Sequence, residues 1–168
     1  MGKNGEIWGK MVKNPFILKF SGQNQHSLDE KGRFAIPVKY RSHLPEAEGK
    51  EIWVLTRGFE KCLLLFTGVV WEYLLEEKLS GLSLGNKQHR IFIRNFISPA
   101  EEAQADKQGR IVIPQSLREY AGINRDVFIL GANKYIELWD KDVLMAQEAA
   151  DQDDAMEIVG NKLEEFGI

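Results

Sequence analysis

The chain has 168 residues, room for one substantial domain or two small ones, and its 43% hydrophobic and 28% charged content is that of a globular protein, not a disordered one. No apolar run approaches the roughly 20 residues that span a bilayer, and "MGKNGEIWGKMVKN" lacks the apolar core of a signal peptide, so a cytoplasmic protein is expected. The net charge of −3 argues against a nucleic-acid partner only until it is divided: residues 140–168 hold nine acids and two bases, a charge of −7, which leaves +4 for residues 1–139, and the local sign counts for more than the sum.

Residues 1–19 form an extension with Lys3, Lys10, Lys13 and Lys19 against Glu6. "NQHSLD" is a strand candidate, and "DEKG" a turn with Gly32 where a four-residue loop wants positive φ. "RFAI" alternates, with Phe34 and Ile36 facing one side and Arg33 and Ala35 the other. Pro37 ends that strand and suits the start of a helix, so "VKYRSHL" reads as one or two helical turns. Residues 51–56 and 62–66 form a second hairpin. Cys62 lies in its apolar run "KCLLLF" and reads as a buried small hydrophobe, since a lone cysteine permits no internal disulfide. Thr67 is a helix N-cap candidate. Trp71, Leu74, Leu75, Leu79 and Leu82 then fall at helical spacing until "SGLSLGN" breaks the helix. Residues 87–97 start another, with Phe92 and Phe96 four apart.

The chain then repeats itself. The pattern Asp-x-x-Gly-Arg-x-x-Ile-Pro-x-x-x-Arg occurs at 29–41 and again at 106–118. "QSLREYAG" takes the place of the first short helix, with Gly122 as a C-terminal cap. Residues 126–130 and 135–139 match the second hairpin, and Asp140 matches Thr67. Each repeat thus reads as a hairpin, a short helix and a second hairpin. Two such units are too few for a solenoid and suggest halves that pack on each other, like a dimer fused into one chain. After Asp140 a helical pattern runs to the end, broken near "ADQDDA". Met156, Val159, Leu163 and Phe166 make an apolar stripe among acids, suited to packing on the body or on a neighbouring subunit.

No chemistry of bond-making is written in the sequence. His26, His43 and His89 are scattered, with no metal-ligand spacing, and neither a G-x-S-x-G nor a phosphate-cradling glycine loop is present, so no enzyme is expected. The Asp-x-x-x-Arg pair has two readings. Asp29 could accept loop N–H groups and pair with Arg33 across the turn, a surface arrangement alone. Alternatively the aspartate orients an arginine that reaches outward, its planar fork suited to phosphate or to a guanine edge. Lys31, Lys39 and Arg41 flank one turn, Lys107 and Arg118 the other; the same charges could be an ordinary solvated surface. Lys87, Arg90 and Arg94 share a helical face that also reads as solvated.

"FSGQNQHSLDEKGRFAIPVKYR", "CLLLF…WEYLLEEKL" and "DKQGRIVIPQSLREYAGINRDVFILGANKYIELWD" closely resemble the MraZ proteins of bacteria, over about residues 20–145. The resemblance implies an α+β fold: two tandem swapped-hairpin (SpoVT-AbrB) repeats forming a pseudo-dimeric barrel, with connecting and C-terminal helices. Its division would be an N-terminal extension 1–19, repeat 1 over 23–70, a helical connector 71–99, repeat 2 over 100–143 and an acidic tail 144–168. It also implies a nucleoid-associated transcriptional regulator, without cofactor or metal, that assembles into homo-oligomeric rings on tandem promoter repeats upstream of the division and cell-wall gene cluster, its own gene included. DNA contacts would fall to Arg33 and Arg110, with Lys31, Lys107, Lys39, Arg41 and Arg118 around them, and turn support to Asp29, Gly32, Asp106 and Gly109. The rival expectation from the same fold is an antitoxin-like protein-binding module whose acidic tail engages a partner.

Overall fold

The computed structural model describes residues 19–42, 44, 52–151 and 155–164; the extension up to residue 18, His43 and Phe166 lie outside them. Among the described residues there are eight strands: β1 (Gln23–Ser27), β2 (Arg33–Ala35), β3 (Ile52–Arg57), β4 (Leu63–Thr67), β5 (Glu101–Gln104), β6 (Arg110–Val112), β7 (Asp126–Ala132) and β8 (Tyr135–Trp139). The helices are α1 (Val38–Arg41), α2 (Gly68–Tyr73), α3 (Lys87–Phe92), α4 (Gln115–Ala121), α5 (Lys141–Ala150) and α6 (Ala155–Glu164). Helices α2 and α3 each run on into a wider π turn, Leu74–Lys78 and Ile93–Ile97.

The duplicated pattern folds as one exchanged pair. Strands run β1-β7-β8-β4-β3-β5 across a six-stranded sheet, and β2 pairs with β6 in a separate ribbon. Exchanging each strand for its equivalent in the other repeat leaves this order unchanged, so a pseudo-twofold axis passes between β8 and β4. The first strand of each repeat joins the other repeat's sheet: Gln25 faces Phe128 across β1–β7, and Trp53 faces Ala103 across β3–β5. In the ribbon, Phe34 faces Ile111. This corrects the first hairpin expected in each repeat. The turn is there, but its two strands leave it for different sheets. Turn chemistry is local, whereas strand partners are chosen by which apolar faces can be buried together.

Period-two alternation gives the large sheet two buried faces. Trp53, Leu55, Leu63, Leu65, Val127, Ile129, Ile136 and Leu138 point to one side, where Phe34, Ile36, Ile111, Ile113 and Leu117 of the ribbon and short helices cover them. Val54, Leu64, Phe66 and Trp139 point to the other, under Val70, Trp71, Phe96 and Leu144 of the longer helices. The Thr56 hydroxyl donates to the Phe96 carbonyl and ties the π turn after α3 to the sheet. Cys62 is buried, and burial pushes its thiol up to about 12, which makes it inert.

Caps set the helix ends. Thr67 accepts from the Val70 N–H at 3.3 Å, and the Asp140 carboxylate accepts from Asp142 and Val143 N–H groups. Gly122 closes α4 in the left-handed region, at φ 67°. Pro37 and Pro114 stand one position earlier than expected, as the extended residues just before α1 and α4.

Candidate functional site

Each Asp-x-x-Gly-Arg turn is wired from its aspartate. Asp29 Oδ1 accepts from the backbone N–H groups of Lys31 and Arg33, both at 2.9 Å, and Oδ2 accepts from Arg33 Nε at 2.7 Å. Asp106 does the same with Gln108, Arg110 and Arg110 Nε, at 2.9, 2.9 and 2.8 Å. Gly32 and Gly109 turn the chain at φ 72° and 73°, a conformation that costs other residues about 1–2 kcal/mol. The backbone N–H of Arg33, then its guanidinium, holds the Asp29 carboxyl below the usual carboxylate range against partial burial; Arg110 does so for Asp106.

The ribbon brings the two turns side by side. Ile36 N–H donates to the Gly109 carbonyl and Ile113 N–H to the Gly32 carbonyl. Arg33 Nη1 stands 4.0 Å from Asp106 Oδ2, so the first arginine lies between both aspartates. The arginines do not simply reach outward. Each is anchored through Nε and stays about a quarter to a third exposed.

The two other motif arginines cross between repeats. A Cβ on Gly109 would collide with the Arg41 guanidinium, and one on Gly32 would lie 3.0 Å from Arg118 Cζ. Each arginine thus lies over the opposite repeat's turn glycine. The signal was available in the sequence as an equal spacing, Gly32 to Arg41 and Gly109 to Arg118, but spacing alone does not say that the packing is crossed. Lys31 and Lys107 are exposed in the turns. Lys39 stands apart: its ammonium lies by the Tyr40 ring, 5.0 Å from its centroid, and beside Gly22 at the far end of β1.

Six bases therefore gather around three acids, Asp29, Glu30 and Asp106, at one end of the ribbon. The acids Asp140, Asp142, Glu148 and Asp151 belong to α5 and its ends, on the opposite face of the sheet. The net negative charge is thus segregated from the cationic turns. Among the described residues no group of His, Cys, Asp and Glu could hold a metal ion, and no helix is long and apolar enough to cross a membrane.

The family model for the MraZ protein, described as antitoxin-like, matches residues 19–95 and again 96–162. The chain belongs to the MraZ family. The MraZ of Acetivibrio thermocellus is 41% identical over 149 residues, 89% of this chain and 99% of that protein. That of Caldicellulosiruptor saccharolyticus is 42% identical over 88% of this chain and 98% of its own. That of Treponema denticola is 44% identical over 71% and 81%. All three are named transcriptional regulator MraZ. Each of the two MraZ matches contains one Asp-x-x-Gly-Arg turn and one crossing arginine, so the motif residues are the repeat's own.

A second feature went unread in the sequence. Phe59, Phe92 and Phe96 line an open apolar cleft on the helical side of the sheet. Phe92 and Phe96 were legible as a helical pair, but Phe59 joins them from a turn far away in sequence, and only the fold brings it there.

Proposed function

We propose that the protein is a DNA-binding transcriptional regulator whose paired turns face duplex DNA. The observation that carries this reading is the arrangement of Arg33 and Arg110, each fixed through Nε by its aspartate beside the other, with Lys31, Lys107, Arg41 and Arg118 around them. An arginine held in place before binding loses less freedom on contact, and its Nη edge suits phosphate oxygens or the O6/N7 edge of guanine. The names of the relatives support regulation of transcription. On this reading the target is a set of tandem repeats upstream of the division and cell-wall gene cluster, including the protein's own gene, and homo-oligomers bind several repeats at once. One chain offers only two small turns, so tight binding draws on linked contacts, the later ones effectively intramolecular.

The test is a titration of DNA fragments carrying one, two and three promoter repeats, with complex mass read by light scattering. Affinity is expected to climb with repeat number and to fall with salt, at a log–log slope of about −0.9 per phosphate neutralised. A single repeat bound as tightly as three, or a flat salt response, refutes the reading. The family's description as antitoxin-like supports a second reading, a module that binds a partner protein through its acidic tail. A stoichiometric protein partner co-purifying with the chain would favour it.

A further inference from the structure

The helical side of the sheet carries a cleft of about 470 Å³ lined by Phe59, Leu74, Leu79, Phe92, Phe96 and Tyr135, a volume in the range of sites that hold an apolar occupant. Phe59 is 76% exposed, although its ring lies parallel to that of Phe96 with centroids 5.8 Å apart. The charged residues at the cleft balance, Lys78 and Lys134 against Glu60 and Glu137, so it selects no sign of charge. What it selects is apolar and aromatic surface.

The chain brings such a surface to the edge of this cleft. Phe20 N–H donates to the Asn133 carbonyl at 2.7 Å, and Asn133 N–H to the Phe20 carbonyl at 2.8 Å. The next two residues after Asn133, Lys134 and Tyr135, already line the cleft. The extension that precedes Lys19 is therefore tethered beside it. In its sequence Ile7, Trp8, Met11 and Val12 stand at i, i+1, i+4 and i+5, one face of a helical spacing, and Lys3, Glu6, Lys10 and Lys13 fall on the other. An apolar face on so short a segment is stable only against a partner surface. Residues 13–19 can span as much as about 23 Å, at roughly 3.3 Å each, further than a cavity of this volume is across.

The extension is this chain's own. The family match begins at residue 19, and the Acetivibrio thermocellus relative is matched over 99% of its length within 149 residues of this chain, which leaves no length for a counterpart. Helix α6 is the other exposed apolar segment, with Met156 89% exposed, and none of its described residues lines the cleft.

We propose that residues 7–12 of the extension dock in the aromatic cleft of their own chain, Trp8 against Phe59 and Phe92, with Lys3, Lys10 and Lys13 left in water. The extension is then a tethered occupant. Its short link keeps its local concentration high, so any other apolar partner binds this cleft only by displacing it. The cleft and the paired turns lie on opposite faces of the sheet, so docking neither needs nor tests the DNA contact.

Trp8 reports its own position in the full chain, purified free of DNA. Its emission is the difference between each protein and the same protein carrying Trp8→Phe. In the wild type it should be blue-shifted and several-fold less quenched by acrylamide than a free indole in water. Phe59→Glu puts a charge into the cleft at an exposed position. It should release Trp8 to red-shifted, quenchable emission while the circular dichroism melt stays unchanged. If Phe59→Glu fails to fold, Phe59→Ser replaces it. Phe59→Glu keeps Trp8 and Trp8→Glu keeps the cleft; mixing the two should leave Trp8 released, because the docking is within one chain. Free-indole emission in the wild type overturns the proposal, also where it turns blue only on adding duplex DNA or anionic phospholipid vesicles. So does a Trp8 that stays shielded in Phe59→Glu, or one shielded again in the mixture, which assigns the segment to another copy's cleft.

Discussion

At the scale of single residues, the aspartate and arginine of each turn do different work, and substitution separates them. Asp29 organises two backbone N–H groups and the Arg33 guanidinium at once. Arg33→Ala removes the guanidinium but leaves the backbone bonds of the turn, so the melting temperature should move little. DNA affinity should fall, by about 1–3 kcal/mol at a base whose edge the arginine reads. Asp29→Ala should lower both, because the turn loosens and the arginine loses its anchor. Comparing melting temperature and affinity in Arg33→Ala, Arg110→Ala and Asp29→Ala checks this; an Asp29→Ala protein with wild-type melting behaviour would show that the turn holds without its carboxylate. The pH response follows from the lowered acidity of both aspartates. A depressed carboxyl contributes stability that is fully present above its unfolded pKa and is lost as pH falls through its folded one. Wild-type stability should therefore drop in acid more steeply than that of the Asp29→Ala, Asp106→Ala double variant. These roles were partly legible beforehand. The residue types and their spacing marked the turn, whereas the anchoring of each arginine through Nε is a side-chain geometry that a pattern does not specify.

At the scale of elements, the crossing arginines carry the link between repeats. Arg41 ends α1 yet lies on the turn before β6, and Arg118 in α4 lies on the turn before β2. Gly32 and Gly109 meet two demands, a left-handed backbone and a close approach by a guanidinium. Gly32→Ala should cost about 1–2 kcal/mol from the backbone alone, since the end of the Arg118 side chain can shift. Gly109→Ala carries the same backbone cost, and its Cβ overlaps the Arg41 guanidinium outright, so it should also displace that side chain from the crossed contact and lose its packing. A double-mutant cycle with Arg41→Ala should recover the excess and leave the backbone cost, as measured by denaturant unfolding. A Gly109→Ala cost that stays the same with and without Arg41 would show that the crossed packing carries no energy. The elements themselves were legible wherever the signal was local: Thr67 and Asp140 started helices and Gly122 closed one, as read, and the alternation of Phe34 and Ile36 set the buried face of β2. What was not legible was pairing. β1 and β2 look like a hairpin because they flank a tight turn, but β1 is only five residues long and alternates between exposed and half-buried, so nothing in its own sequence names β7 as its neighbour.

For the whole molecule, the exchange of strands makes the two repeats mutually dependent. Within residues 19–95, β1 lacks β7 and β2 lacks β6, so the fragment has an open edge beside β3 and an uncovered apolar face beneath Trp53, Leu55, Leu63 and Leu65. Such an edge pairs with whatever equivalent strand is at hand. In a solution of the fragment, that strand is supplied by a second copy. The pseudo-twofold order of the sheet then becomes a true twofold: β1 of each copy pairs with β3 of the other, and the two β2 strands form the central ribbon. The isolated 19–95 fragment should accordingly be a folded dimer at high concentration and should lose its structure on dilution, with a melting temperature that rises with concentration. The intact chain, with both halves covalently joined, should unfold in one transition whose midpoint is less dependent on concentration. Circular dichroism melts across a concentration series, with mass from light scattering, decide the matter. A fragment that folds cooperatively as a monomer would mean that each repeat holds a complete core of its own, contrary to the exchanged ladders that run through the molecule.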